Sequence, residues 1–202
     1  MTPGPIIGIL LAAGSGSRFG SDKLLHPLAD GTPMGLVAAR RLRPACDRVL
    51  AVVRPDSAVL AEQLAAAGFE LIVSAASFQG MGHSLAAGVR AAPDAGGWLI
   101  ALADMPFIAP ASYGRVAAAL RAGGSIVVPE YQGRRGHPMG FARQWGEPLS
   151  VLAGDEGARR IVTAFPDAIV RCDVDDPGIV RDVDQAADLM DRPPGATPAP
   201  YP

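Results

Sequence analysis

Three stretches of the chain combine residue types and spacing that suit the chemistry of phosphate esters. The first is Leu11-Ala12-Ala13-Gly14-Ser15-Gly16-Ser17-Arg18-Phe19-Gly20-Ser21-Asp22-Lys23, directly after an apolar run. Backbone N–H groups freed by glycine can wrap a polyphosphate, and Arg18 and Lys23 supply compensating charge. Phe19 occupies the third glycine position of a G-x-G-x-x-G fingerprint, and no G-K-[S/T] of a Walker A loop occurs. Glycines alone would leave a flexible loop with two solvated cations. The complete run of small residues, Arg and Lys after a strand argues for phosphate binding. The second stretch, Gly80-Met81-Gly82-His83-Ser84-Leu85, opens a helix with bare backbone and a hydroxyl. That suits a base edge or a phosphate as well as it suits a plain helix start. His83 reads as a helix-face residue. The third is Ala103-Asp104-Met105-Pro106, a carboxylate at a strand end fixed by proline. A turn aspartate is the common alternative, but one or two carboxylates plus phosphate oxygens are what Mg²⁺ prefers.

These groups need a scaffold that brings strand ends together. Ile6–Ala13, Arg48–Val53, Glu70–Val73, Trp98–Ala103 and Ser125–Val128 are nearly continuous apolar runs, the pattern of parallel strands covered on both faces. Helix patterns alternate with them at Pro33–Arg43, Ser57–Ala67, Met81–Ala92 and Pro110–Ala122. The alternation predicts a three-layer α/β/α, mostly parallel Rossmann-like sheet with right-handed crossovers. After Pro129 the rhythm breaks. Tyr131–Phe141 suggests a small hairpin excursion, followed by helices at Gln144–Leu152 and Asp155–Ala164, a strand at Ala168–Cys172 and a last helix near Gln185–Met190. Open sheets of this kind bind ligands at the carboxyl ends of their strands.

Composition narrows the function classes. The 202 residues hold 24 Gly and 19 Pro, with 49% hydrophobic and 19% charged residues and a net charge of −2. That length and apolar content support one domain over residues 1–191. The tail Arg192–Pro202, with five prolines, reads as a disordered extension. Eighteen basic and twenty acidic residues create no field for nucleic acid. No apolar stretch approaches the ~20 residues of a membrane helix. Cys46 and Cys172 form no CxxC or metal spacing and read as small buried thiols in a reducing, cytoplasmic setting.

The run L-A-A-G-x-G-x-R-x-G-x-x-K resembles the signature of nucleotidyltransferases that load a nucleoside monophosphate onto a small phosphorylated acceptor. Among them the chain is most similar to the molybdenum cofactor cytidylyltransferases, with matching segments from Ile7 to Leu189. The resemblance implies that Gly14, Gly16, Arg18 and Lys23 hold the nucleotide phosphates, beside Leu11, Ala12 and Ala13. Ala13 favours CTP, because the guanylyl branch reads L-A-G-G there. Gly80, Ser84 and Met81 fall near the nucleobase, although Ser74 stands where relatives often carry Asn. Asp104 becomes a metal ligand and, with Arg18 and Lys23, catalytic. Asp182-Val183-Asp184-Gln185-Ala186-Ala187-Asp188-Leu189 resembles the segment that carries the second metal ligand, placing that role on Asp184 with Asp182 as fallback. Gln185-Ala186 replaces the usual Thr-Pro. The similar Cys172–Pro177 stretch reads as a solvated acidic turn. Gly136-His137-Pro138-Met139 and Gly154–Arg159 resemble acceptor-side segments. They set His137 toward the pterin or its phosphate, with Arg134 and Arg135 beside it. Gly154–Gly157 would open a helix toward the acceptor phosphate, with Arg159 nearby, where Asp155 also suits an N-cap.

The activity so implied is Mg²⁺-dependent transfer of CMP from CTP to the terminal phosphate of Mo-molybdopterin, releasing pyrophosphate. The product's expected recipient is a xanthine-dehydrogenase-type molybdoenzyme. A related transferase using GTP, or a sugar or isoprenoid-precursor phosphate, is the alternative within the class. A glycosyltransferase would place D-x-D where Asp104-Met105-Pro106 stands. A non-catalytic cofactor chaperone is the alternative outside it.

Overall fold

A computed structural model describes residues 4–14 and 22–189. The parallel part of the chain runs β1 (Ile6–Leu11), α1 (Met34–Leu42), β2 (Arg48–Val53), α2 (Ala58–Ala66), β3 (Glu70–Val73), α3 (Met81–Arg90), β4 (Gly97–Leu102) and α4 (Pro110–Arg121). Every residue of β1 is buried, as its unbroken apolar sequence requires of a strand covered on both faces. Leu10 faces a core shared with α1, α2 and α4, while Ile9 faces the opposite core under α3. The alternation along a single strand therefore builds both outer layers.

The remaining elements are β5 (Ile126–Tyr131), β6 (Arg134–Arg135), β7 (Met139–Ala142), α5 (Gly146–Ser150), α6 (Arg159–Ala164) and β8 (Ile169–Asp173). The strand order is β3-β2-β1-β4-β7-β5-β6, with β8 pairing parallel to β5, in one eight-stranded sheet. The expected hairpin exists as β5–β6. Gln132 and Gly133, at φ 50° and 75°, make the two-residue turn that suits tightly twisted strands. Its continuation does not leave the sheet. β7 runs antiparallel between β4 and β5, with Trp98 opposite Phe141 and Ile126 opposite Phe141.

Several expected elements are shorter than their sequence patterns. Gln144–Leu152 divides into a 3-10 turn, Arg143–Trp145, and the five-residue α5. The helix expected from Asp155 begins only at Arg159, because Gly154 and Gly157 adopt φ of 73° and 52°, outside helical space. The last helix is a 3-10 turn, Ala186–Leu189. Met190 and the Pro-rich tail lie outside the described residues.

The Cys172–Pro177 segment is not a solvated turn. Cys172 and Asp173 end β8, and Asp176 is buried. Its carboxylate accepts from Ala109 N at 2.8 Å, Ser112 Oγ at 2.6 Å and Gly178 N at 2.9 Å. α4 has no capping side chain at its own start, so Asp176 satisfies its orphan donors from 67 residues away in sequence. Both cysteines are free, and burial pushes the Cys46 thiol up to about 12. Among the described residues no helix is long and apolar enough to cross a membrane.

Candidate active site

A cavity of about 460 Å³ opens where β1, β2 and β4 end. Its floor comes from Leu11, Ala13 and Gly14 after β1, Leu102 and Asp104 from the end of β4, and Lys23. Its far wall comes from Arg54 after β2 and from Ser77, Phe78, Gly80, Met81 and Ser84 at the start of α3, with Asp155 beside them.

Lys23 is the electrostatic centre. Asp22 Oδ1 accepts from Leu24 N at 3.2 Å and fixes the 3-10 turn Lys23–Leu25. From that turn Lys23, only 7% exposed, sends Nζ to Asp104 Oδ2 at 2.9 Å and Asp184 Oδ1 at 3.2 Å. Burial pulls the Lys23 pKa down, but the Asp104 charge and hydrogen bond, joined by those of Asp184, outweigh it and hold the pKa above its usual value. The ammonium is therefore charged throughout the neutral range.

The two carboxylates arrive by different routes. Asp104 follows β4, whose pairing with β1 continues through Ala103 N to Leu11 O at 3.1 Å. Asp184 arrives on a loop stitched to that strand end by Val183 N donating to Asp104 O at 2.9 Å. Asp188 Oδ2 accepts from the backbone N–H of both Asp184 and Gln185 at 2.8 Å. The Gln185 N–H, then that of Asp184, holds the Asp188 pKa below the usual carboxylate range. Arg181 completes the loop, donating to Asp188 O at 2.6 Å and lying 4.0 Å over the Phe107 ring. Asp182 is exposed and makes no contact with Lys23, so the structure brings Asp184, not the fallback, to the ammonium.

This donor set fits a hard divalent cation. Two carboxylates converge on one point, and their side chains stay 27% and 55% exposed, leaving oxygens open to the cavity side. No group of three or more His, Cys, Asp or Glu forms among the described residues. A cation held by Asp104 and Asp184 would thus complete its shell with phosphate oxygens and water, the Mg²⁺ preference.

The other expected residues divide into three groups. Leu11, Ala13, Gly14, Gly80, Met81, Ser84 and Asp155 line the cavity. Ala12 is buried behind it, donating its N–H to Val52 O at 2.9 Å. Gly16 and Arg18 lie outside the described residues. His137 stands apart from the cavity lining, with Nδ1 buried and unpartnered. Burial lowers its pKa, against the opposing effects of a hydrogen bond to the Ile100 backbone and the charges of Asp104 and Asp182. Arg135 pairs with Glu130 at 3.3 Å.

The Gly154–Gly157 loop does not present its backbone as a helix start. Gly154 O accepts from Gly82 N at 2.7 Å, and Gly154 N donates to His83 Nδ1 at 3.2 Å. These groups latch the loop onto α3, and His83 serves the latch. A Cβ on Gly80, which has φ 126°, would overlap Asp155 Oδ1 and the Gly154 carbonyl. One on Gly82 would come within 2.8 Å of Ala153 O.

Arg54, Ser77 and Phe78 line the cavity without having been singled out from sequence. For Arg54 a signal existed, since it is the first residue beyond a buried strand, as Ala12 is beyond β1. Ser77 and Phe78 sit in the 3-10 turn Ala75–Gln79, which carries no motif.

Comparison with known proteins places the chain in a family. Residues 8–169 match the model of the MobA-like NTP transferase domain. The chain is 30% identical to nicotine blue oxidoreductase of Paenarthrobacter nicotinovorans over 89% of its length and 92% of that protein. It is 33% identical to purine catabolism protein PucB of Bacillus subtilis over 78% of its length and 80% of that protein. A probable molybdenum cofactor guanylyltransferase of Thermococcus gammatolerans is 35% identical over 52% of this chain and 51% of its own. The crystal structure of Rv0371c from Mycobacterium tuberculosis superposes with a TM-score of 0.82 at 30% identity, covering 94% of this chain and 97% of that one. A structure of Rv0371c in complex with manganese superposes at 0.75 and 28% identity, over 92% and 96% of the two chains. With the family model covering most of the chain and a relative 30% identical over nearly its whole length, the chain belongs to the MobA-like NTP transferase family.

Proposed function

We propose that the protein transfers CMP from CTP to the terminal phosphate of Mo-molybdopterin, with Mg²⁺ or a similar divalent cation bound by Asp104 and Asp184. The observation that carries this reading is the Lys23 ammonium set between those two carboxylates on the cavity floor. Ala13 supports CTP over GTP, and the guanylyltransferase relative supports a molybdopterin acceptor. The manganese complex of Rv0371c supports the cation.

The acceptor phosphate attacks the α-phosphorus of CTP in line. A P–O bond forms as the bond to the bridging oxygen breaks, and pyrophosphate leaves with that electron pair. A phosphate monoester is already anionic near pH 7, so no side chain has to remove a proton. A bound divalent cation supplies charge neutralisation at the phosphate oxygens. Lys23 brings a buried, permanently charged donor to the same oxygens, and Gly14 leaves backbone accessible beside them. Arg18 adds a second cation in this proposal. His137, held neutral at pH 7, serves the acceptor as a hydrogen-bonding group. A xanthine-dehydrogenase-type molybdoenzyme receives the product.

The test is pyrophosphate release by the purified chain with Mo-molybdopterin and CTP, GTP or ATP in turn. Preference for CTP supports the reading, and preference for GTP overturns the role given to Ala13. The nicotine blue oxidoreductase likeness favours one second reading, an oxidoreductase acting on nicotine blue in the same cavity. Conversion of nicotine blue, followed by its absorbance, without pyrophosphate release would select it.

A further inference from the structure

The loop between α5 and α6 forms part of the cavity wall through Asp155, and its position depends on a residue that does not line the cavity. The chain leaving α5 is tied to α3 at both ends of that helix. Arg90, in the last turn, donates from Nη1 to Ser150 O at 2.5 Å. At the cavity end both bonds fall on one residue. Gly82 N donates to Gly154 O at 2.7 Å, and Gly154 N donates to His83 Nδ1 at 3.2 Å. Asp155 and Glu156 then stand between Gly154 and Gly157, whose φ angles are 73° and 52°. Glycine on both flanks leaves the backbone few steric limits, so the local chain does not by itself fix where Asp155 stands.

The two bonds at Gly154 differ in what the sequence must supply. The first is made by main chain alone, and it meets a donor that the uncapped start of α3 leaves open. The second needs an acceptor that only the His83 side chain brings. To accept at Nδ1 the ring must be neutral, with its proton on Nε2. A partly buried N–H without an acceptor is costly, so without the imidazole the loop would turn toward water to satisfy it. We propose that His83 is a positioning residue, which through the Gly154 amide sets the loop that carries Asp155 into the cavity wall. A position that reads from the sequence as a helix-face residue thus acts on the site without touching a substrate. Its consequence for turnover rests on the proposed function, in which this loop lies on the acceptor side.

Amide hydrogen exchange of the ligand-free full chain reads the latch directly, and steady-state kinetics reads its consequence. His83→Leu keeps an apolar body and removes the acceptor. His83→Asn places an oxygen as many bonds from the backbone as Nδ1. Exchange at Gly154 should rise about fivefold in His83→Leu, for one lost neutral hydrogen bond, and stay within about twofold of the wild type in His83→Asn. Amides of β1 and of the second half of α3 keep their wild-type rates in both. With CTP saturating, KM for Mo-molybdopterin rises about fivefold in His83→Leu while kcat stays within about twofold, and His83→Asn recovers it. Wild-type exchange at Gly154 in His83→Leu overturns the assignment. So does a rise shared equally by β1 and α3, or a His83→Asn chain as impaired as His83→Leu. Faster exchange with an unchanged KM overturns the positioning role. A wild-type chain that releases no pyrophosphate overturns the proposed function, and exchange at Gly154 then decides by itself whether His83 holds the loop.

Discussion

The two carboxylates at Lys23 come from regions built on opposite principles. Asp104 extends a strand hydrogen-bonded on both sides, to β1 and to β7, and is fixed by the same pairing that holds the sheet together. Asp184 stands on a loop beyond the last strand, placed by a few single bonds: Val183 to the Asp104 carbonyl, and Asp188 to two backbone N–H groups. A group fixed by a sheet is preorganised at no local cost, whereas one fixed by a loop depends on each stitch. The parallel half therefore sets where Asp104 meets the Lys23 ammonium, and the mixed half brings a second carboxylate to it.

The sharpest way to break this contrast is to remove each charge in turn. Asp104→Asn should lower the transfer rate about 10³-fold and Asp184→Asn about 10²-fold, at the two ends of the range for electrostatic groups at developing charge. Equal losses in steady-state kinetics would show that strand and loop position their ligands equally well. The next largest effect belongs to Asp176, two of whose three hydrogen bonds tie the segment after β8 to the start of α4. Asp176→Ala leaves buried donors unmet and should cost about 3 kcal/mol in denaturant unfolding, with turnover per folded molecule little changed.

Asp188 tests the stitches themselves. Asp188→Ala should weaken divalent-ion binding several-fold, because the Asp184 and Gln185 N–H groups lose their acceptor. Asp188→Asn, which keeps an acceptor oxygen, should recover most of the ion affinity measured by titration. The smallest effect concerns His137. Its pKa in the folded chain is below the ordinary 6.5, so below that pH the unfolded chain binds more protons and stability falls as the solution is acidified. His137→Asn should flatten that acid limb in melts between pH 7 and pH 5, whatever uniform cost the lost packing and hydrogen bond to Ile100 add at every pH.

The same division governs what could be read in the sequence. β2 has the bounds that its apolar run predicts, because a parallel strand buried on both faces is written as an uninterrupted run, and the half-exposed edge strand β3 has its expected bounds as well. Gly14 and Asp104, beyond the ends of the buried strands β1 and β4, follow from the same reading. β6 is two residues long and β7 is Met-Gly-Phe-Ala, too short to carry a period. The helix expected at Asp155 was defeated by backbone angles at two glycines, which composition does not encode. Asp176 and His83 owe their importance to contacts, which are properties of the folded chain. The convergence of Asp184 on Lys23 followed from resemblance rather than from any local pattern, since 161 residues separate them.

The latch between the 153–155 loop and α3 is made largely of main chain: Gly82 N–H to Gly154 carbonyl, with no room for a side chain at Gly80 or Gly82. Such a seam is uneven in what it demands of heredity. At Gly80 and Gly82 any change from glycine adds an atom where the facing loop already stands. Across the seam Gly154, at φ 73°, is held to glycine by its own backbone. Ala153 meets the seam only through a carbonyl, which every amino acid possesses, so its identity is nearly free. A substitution survey should find three intolerant glycines around one permissive position.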